Sequence, residues 1–228
     1  MNESDLRAAK AGDVDAQYRV ACWYSYSALN PQEAVKWYLK AAKQGHAASQ
    51  SSLASCYQVG LGVSQDKKVA LKWLLKAAEQ GASSDQISLA ETYLAGDGIT
   101  KDTNEALKWY RKAAQLGNKH AQHTLAYESL VGTSLPNNPK ESLKWYAALA
   151  RKGDREAQFK VGYMYLNGTG VPESYVKAYK WFSLAKTQGY AAAVDELTTL
   201  KLQMTKQQIA QAQALAAKCC ESDYKDCD

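Results

Sequence analysis

Small and apolar residues recur along this chain in two alternating helical patterns. The first carries Ala16, Ala121 and Ala157, then a branched aliphatic residue at Val20, Leu53, Leu89, Leu125 and Val161. A small residue follows directly (Ala21, Ala54, Ala90, Ala126, Gly162), and Tyr24, Tyr57, Tyr93 and Tyr165 come three places later. Spacings of four, one and three put these positions on one helical face, and the small residue admits a close neighbour. The second pattern opens at Asn30, Asp66, Asp102, Asn138 and Ser174, all favoured helix N-caps. Pro31 and Pro139 follow at the first helical position, where a missing N–H costs nothing. Glu33, Glu105 and Glu141 stand three residues after their caps, the spacing of a capping box. Ala34, Ala70, Ala106 and Ala178 and a tryptophan column make the buried face of this second helix.

The two patterns alternate with a fixed period. Trp37, Trp73, Trp109, Trp145 and Trp181 are spaced 36 residues apart, and Gly45, Gly81, Gly117, Gly153 and Gly189 keep the same interval. A period of this length predicts stacked helix pairs, each burying its face on the next. Glycine turns join the two helices at Gly60-Leu61-Gly62-Val63, Gly96-Asp97-Gly98-Ile99 and Gly168-Thr169-Gly170-Val171. The first repeat is three residues short in this loop, and the fourth has Ser129 for the tyrosine and Ser134 for the second glycine.

These features bound the elements. Residues 1–11 read as a half-repeat cap, 12–188 as five repeats, and 189–218 as a closing half-repeat and capping helix that starts on a Thr205/Gln208 capping box. Residues 219–228 have no periodicity and are expected to be a frayed, disordered tail. The fold class is all-α: a single right-handed α/α superhelical solenoid of about five 36-residue helix pairs with half-repeat caps.

The combination Ala-Gln, Leu-Ala-x-x-Tyr-x-x-Gly-x-Gly-Val, Ala-x-x-Trp and Ala-Ala-x-x-Gly resembles the Sel-one-like repeats (SLR), relatives of the tetratricopeptide repeats, over residues 6 to 195. The resemblance implies a non-enzymatic adaptor or scaffold, often bacterial, that takes a protein or peptide in a concave groove. An inhibitor or immunity-type protein that occludes a partner enzyme is the alternative, and an enzyme acting on an envelope component a distant third. Some exported members bridge the two helices of each repeat with a cysteine pair. This chain has no such pairs, so that scheme does not transfer.

If the tetratricopeptide geometry holds, the groove is lined six and ten residues after each period glycine. The first column is Tyr18, Ser51, Ile87, His123 and Phe159; the second is Cys22, Ser55, Glu91, Tyr127 and Tyr163. Both vary while the packing columns repeat, as a specificity surface should. The candidate partner-binding residues are Tyr18, Ile87, Glu91, His120, His123, Tyr127, Phe159 and Tyr163. The richest aromatic cluster falls in repeats four and five, where rings give large contact area at low entropy cost.

Charge changes this picture little. The net charge is +5 and dispersed, which gives no case for a nucleic-acid partner. Lys36, Lys72, Lys108, Lys144 and Lys180 precede each tryptophan, with Lys40, Lys76 and Lys112 as a second row; a solvated face covering the tryptophans is the expectation. His120 and His123 lie one turn apart but lack a matched third ligand, so no metal or other cofactor is expected. Cys219, Cys220 and Cys227 are open to bridging, metal binding or free thiols, with free thiols expected. No catalytic constellation stands out, no segment reads as membrane-spanning, and the acidic start Met1-Asn2-Glu3 is unlike an export signal. A cytoplasmic monomer is therefore expected, a periplasmic or secreted mature form being the alternative.

Overall fold

The computed structural model describes residues 2–96, 98–224 and 227. Asp97 of the second glycine turn and Asp226 and Asp228 of the tail lie outside the described residues. Among the described residues there are thirteen helices, which form two compact units, Met1–Leu116 and Gly117–Asp228. The first unit holds α1 (Glu3–Ala11), α2 (Val14–Tyr26), α3 (Pro31–Lys43), α4 (Ala47–Val59), α5 (Lys67–Glu79), α6 (Ser83–Ala95) and α7 (Thr103–Gln115). The second holds α8 (Lys119–Val131), α9 (Pro139–Ala150), α10 (Arg155–Leu166), α11 (Tyr175–Thr187), α12 (Ala192–Lys201) and α13 (Lys206–Glu221). Within each repeat the first helix packs most extensively on the second: α2 on α3, α4 on α5, α6 on α7, α8 on α9 and α10 on α11.

The second helices start where the caps place them. Asn30, Asp66, Asp102, Asn138 and Ser174 each accept a backbone N–H from the first turn, at 2.9–3.3 Å. The reciprocal half of the expected capping boxes does not form at Glu33, Glu105 or Glu141. The cap residue's own N–H is already taken. Asp66, Asp102, Asn138 and Ser174 donate it to the backbone carbonyls of Tyr57, Tyr93, Ser129 and Tyr165, at 2.7–3.0 Å. In the short first repeat Asn30 makes the same bond to Tyr24. Because the acceptor is backbone, Ser129 replaces the tyrosine without losing this link. Released from capping, Glu33 pairs with Lys36 (2.5 Å) and Glu105 with Lys108 (3.0 Å).

The serine in the fourth loop is also compensated. The Glu128 carboxylate accepts from Thr133 Oγ1 and from the Ser134 N–H, both at 2.7 Å, and Leu135 is buried beneath the turn. Elsewhere the second glycine is required by close approach. A Cβ on Gly170 would lie 2.5 Å from the Pro139 carbonyl oxygen, and one on Gly62 would lie 2.3 Å from that of Pro31.

Within each unit, successive repeats are tied by a buried glutamine of the first helix. Gln17, Gln50 and Gln86 donate through Nε2 to the carbonyls of Ala9, Ala42 and Ala78, eight residues back in the preceding second helix, and Gln158 does so to Ala150. In the first unit Gln44 and Gln80 return the contact, donating to Gln17 Oε1 (2.9 Å) and Gln50 Oε1 (2.8 Å). Apolar packing does the rest. Trp37, Trp109, Trp145 and Trp181 are buried, whereas Trp73 is half-buried.

The chain ends differ in one respect from expectation. The Thr205/Gln208 capping box is present, and α13 packs on α11, closing the last repeat. The helix continues to Glu221, and the tail does not carry three free thiols. Cys219 and Cys227 form a disulfide, both buried, while Cys220 is free and exposed. The sequence showed no period here because this segment is an end-closure made once. Among the described residues no helix is long and apolar enough to cross a membrane.

Candidate partner-binding surface

The two candidate columns lie on the first helices of the repeats, and the structure divides their residues into surface and packing. In the first unit, α4 and α6 contribute Ser51, Ser55, Ser88 and Glu91 to one wall of a cleft of about 570 Å3. Leu71 and Leu74 of α5 and Tyr38 of α3 line its inner side, and Tyr26, Val59 and Leu61 stand exposed at its rim. Small residues at 51, 55 and 88 open the cleft, since a side chain the size of Tyr163 or Phe159 at those registers would fill it. The cleft is mainly neutral with two carboxylates. Asp85 is buried and accepts from Ser51 Oγ at 2.6 Å, whereas Glu91 is exposed. Burial pushes the Cys56 thiol up, so it is held neutral as a packing group.

Tyr18 and Ile87 take other roles. Tyr18 is half-buried, its ring centroid 4.8 Å from that of His46 and 6.0 Å from that of Tyr38. Ile87 is buried, leaving Glu91 as the candidate in this unit that faces the cleft.

In the second unit the expected cluster of His120, His123, Tyr127, Phe159 and Tyr163 separates into two. His120 and Tyr127 are exposed, and His123 is half-buried with Nε2 3.1 Å from Asp154 Oδ2. Asp154 uses its other oxygen to cap α10 through the Ala157 N–H (2.9 Å), so His123 is steered by a carboxylate that is itself fixed. Phe159 is instead part of the core: its ring centroid lies 4.9 Å from Tyr163, 5.4 Å from Phe182 and 4.7 Å from Tyr190. Tyr163 is half-buried and donates its hydroxyl to Glu196 of α12. Both rings are covered because α12 and α13 close on the last repeat, where a further repeat would otherwise leave a groove face open. Column position alone does not carry that information.

Sequence reasoning passed over one polar chain. Ser49 Oγ lies 2.9 Å from His46 Nδ1, and His46 Nε2 lies 3.5 Å from Asp15. The residue types are those of a hydrolytic triad, but Ser49 is fully buried and Nδ1 also accepts the Ser49 backbone N–H at 3.1 Å. A nitrogen that accepts an N–H carries no proton, so the ring hydrogen sits on Nε2 facing Asp15. His46 is the N-cap of α4, and this trio is a capping device. Among the described residues no group of three or more His, Cys, Asp and Glu side chains is arranged to hold a metal ion.

On the second helices the lysines cover the tryptophans. Lys40, Lys76 and Lys112 place their ammonium groups 4.0, 4.8 and 3.8 Å from the ring centroids of Trp37, Trp73 and Trp109. Such stacking is worth about 0.5–1 kcal/mol at exposed sites.

The sequence profile of the Sel1 repeat matches residues 14–46, 47–81, 83–118, 119–154 and 155–190. The chain belongs to the Sel1 repeat family. It is an all-α solenoid, and Sel1 repeat proteins are typically protein-interaction scaffolds. Among solved structures it is similar to a Sel1 repeat protein from Oxalobacter formigenes, with 28% identity over 91% of this chain and 88% of that one, at a TM-score of 0.64. It is also similar to c5321, a protective antigen present in uropathogenic Escherichia coli strains, with 29% identity over 96% of this chain and a TM-score of 0.57. The chain spans about half of c5321, 49% of its length. The immunity protein Pa5087 from Pseudomonas aeruginosa is 21% identical over 93% of this chain and 83% of that one, with a TM-score of 0.42, a likeness of fold alone. No curated protein matches the sequence significantly.

Proposed function

We propose that this Sel1 repeat protein is a non-enzymatic scaffold that holds a segment of another protein in the α4/α6 cleft of its first unit. The reading rests on one observation: a cleft of about 570 Å3 opens where the repeat columns vary, on helices whose packing columns are nearly invariant between repeats. Its volume falls within the range of small-ligand pockets. Its half-polar, serine-lined wall suits an extended segment that supplies both backbone hydrogen bonds and an apolar anchor. The exposed Tyr26, Val59 and Leu61 at the rim are apolar area left to be covered.

The test is site-specific photo-crosslinking in the native lysate. A benzophenone side chain at Glu91 is expected to capture one protein in high yield, and the same group at Lys72, an exposed position of α5 that does not line the cleft, is expected not to. Ser55→Trp with Ser88→Trp, which fills the cleft from two exposed positions, should abolish the Glu91 product while leaving helicity unchanged. Capture from Lys72 alone, or capture that survives the filled cleft, would overturn the assignment. The captured protein also chooses between adaptor and inhibitor, because an enzyme whose turnover falls on adding this protein fits the second.

A further inference from the structure

Asp85 stands where the repeat asks only for a small side chain. Its register in the other first helices holds Ala16, Ser49, Ala121 and Ala157, all fully buried. The third repeat has a carboxylate there instead, in the first turn of α6, and the residue is 8% exposed. A charged group at that depth costs free energy unless something binds it. The fold supplies one side-chain partner among the described residues: Ser51 Oγ of α4 donates to Asp85 Oδ1 at 2.6 Å. Ser51 is itself an exception, since its register otherwise holds Tyr18, Ile87, His123 and Phe159. Two neighbouring repeats thus carry two matched departures, a carboxylate and the small hydroxyl that reaches it.

The second carboxylate oxygen is left over. Among the described residues Asp85 Oδ2 has neither a hydrogen-bond donor nor an ion-pair partner, and it is not sealed in the interior. It opens on the α4/α6 cleft, of whose lining Asp85 is part. No lysine or arginine among the described residues lines that cleft. Local structure accounts for this carboxylate only in part. α6 has no side-chain N-cap, and negative charge in its first turn favours the helix dipole. An aspartate at the exposed Ser84, in the same turn, would serve the dipole as well without being buried.

We propose that the segment held in this cleft presents an arginine to Asp85, beside an apolar residue seated on Leu71, Leu74 and Tyr38; the assignment rests on reading the cleft as a protein-binding surface. An ammonium keeps a tight hydration shell that it would have to shed at a site this covered. A guanidinium is more weakly hydrated, and its fork can meet the open carboxylate oxygen and a serine hydroxyl of the same wall together. A neutral or acidic segment would cover the carboxylate without a counter-charge, a penalty that discriminates against it.

The probes are three pools of short synthetic peptides, degenerate except for a central Arg-x-Leu, citrulline-x-Leu or Glu-x-Leu, passed over the immobilised protein. Citrulline keeps the shape of arginine without its charge. The arginine pool should be retained about tenfold more than the citrulline pool, and the glutamate pool least. Asp85→Asn preserves size and the bond from Ser51, so it should melt as wild type does and lose that preference. Glu79→Gln, an equal change of charge at an exposed position of α5 outside the cleft, should keep it. Equal retention of the arginine and citrulline pools, no retention of any pool, or a preference that survives Asp85→Asn would overturn the proposal. So would a preference that survives Ser55→Trp with Ser88→Trp, because the peptides would then sit outside the cleft. The segment crosslinked at Glu91 keeps the two readings apart: a captured segment without arginine leaves the cleft as the binding surface and removes arginine as its ligand.

Discussion

Gly162 offers a test in which two ordinary effects oppose each other. It lies within α10, where the other four repeats have Ala21, Ala54, Ala90 and Ala126, so Gly162→Ala restores the repeat consensus. Helix propensity alone favours alanine by about 0.8–1.0 kcal/mol. Packing opposes it: the new methyl would sit 2.6 Å from both Cδ1 and Cε1 of Phe182. Phe182 is fully buried, and Phe159 and Tyr163, from the same helix as Gly162, already pack on its ring with centroids 5.4 and 5.5 Å away, so it has little space into which to retreat. Overpacking of this kind costs about 1–3 kcal/mol, and a rigid ring in contact puts it in the upper part of that range. The net expectation is a loss of about 1–2 kcal/mol, hence a Tm lower by about 2–8 °C for a chain of this size. Far-UV circular dichroism melts measure it. In the cycle with Phe182→Leu, the smaller side chain should make room, giving a favourable coupling of about 1 kcal/mol or more. A Tm raised by Gly162→Ala would refute the reasoning, since propensity would then have outweighed a contact the geometry says cannot be kept.

Other outcomes follow from the same packing. Trp109→Ala removes a ring that is 3% exposed and should cost about 3–5 kcal/mol, while Trp73→Ala, at a half-buried position, should cost clearly less in the same urea titration. Gly170→Ala meets the Pro139 carbonyl as well as an unfavourable backbone at φ +73, so it should destabilise more than Gly168→Ala, where φ is +65 and the nearest atom is 3.6 Å away; comparing their melts isolates the clash. The hydrogen bond to Glu196, followed by burial, pushes Tyr163 up to about 12, and burial chiefly does the same for Tyr146. Their neutral forms are favoured in the folded state, so the contribution is fully present below the ordinary tyrosine value near ~10 and is lost as pH rises through about 12. Urea midpoints should fall across that window, and Tyr163→Phe should flatten the fall; an unchanged slope would mean the hydroxyl does not stay bonded to Glu196.

The helix pairs were legible because each boundary is written in local chemistry that recurs. Asn30, Asp66, Asp102, Asn138 and Ser174 cap helices wherever they sit, and the tryptophan and alanine columns follow from period and size. Other features depend on neighbours that no single register names. Glu105 reads as a capping-box partner until one sees that the Asp102 N–H is spent on the Tyr93 carbonyl. Phe159 reads as a groove residue until Tyr190 and α12 cover it. The small residues Ser51, Ser55 and Ser88 were inconspicuous in the sequence, yet a cleft is made by what side chains leave empty. The Cys219–Cys227 bridge had no periodic counterpart to flag it, and only spatial proximity selects it over the alternatives.

The link from each cap residue's N–H to a carbonyl of the preceding helix bears on how such a chain can change length. It spans nine residues from Tyr57 to Asp66 but six from Tyr24 to Asn30, with both helices of the first repeat intact. The loop is fastened at its two ends and admits different lengths between them, so a change of length there leaves both helices of the repeat in place. One residue added inside α4 would instead rotate Gln50 away from Ala42 and leave a buried amide and a carbonyl both unmatched. Heritable variation in length is thus channelled into two forms, whole repeats gained or lost and loops trimmed or extended. A lineage can lengthen the array or reshape its rim without having to redesign a single interior contact.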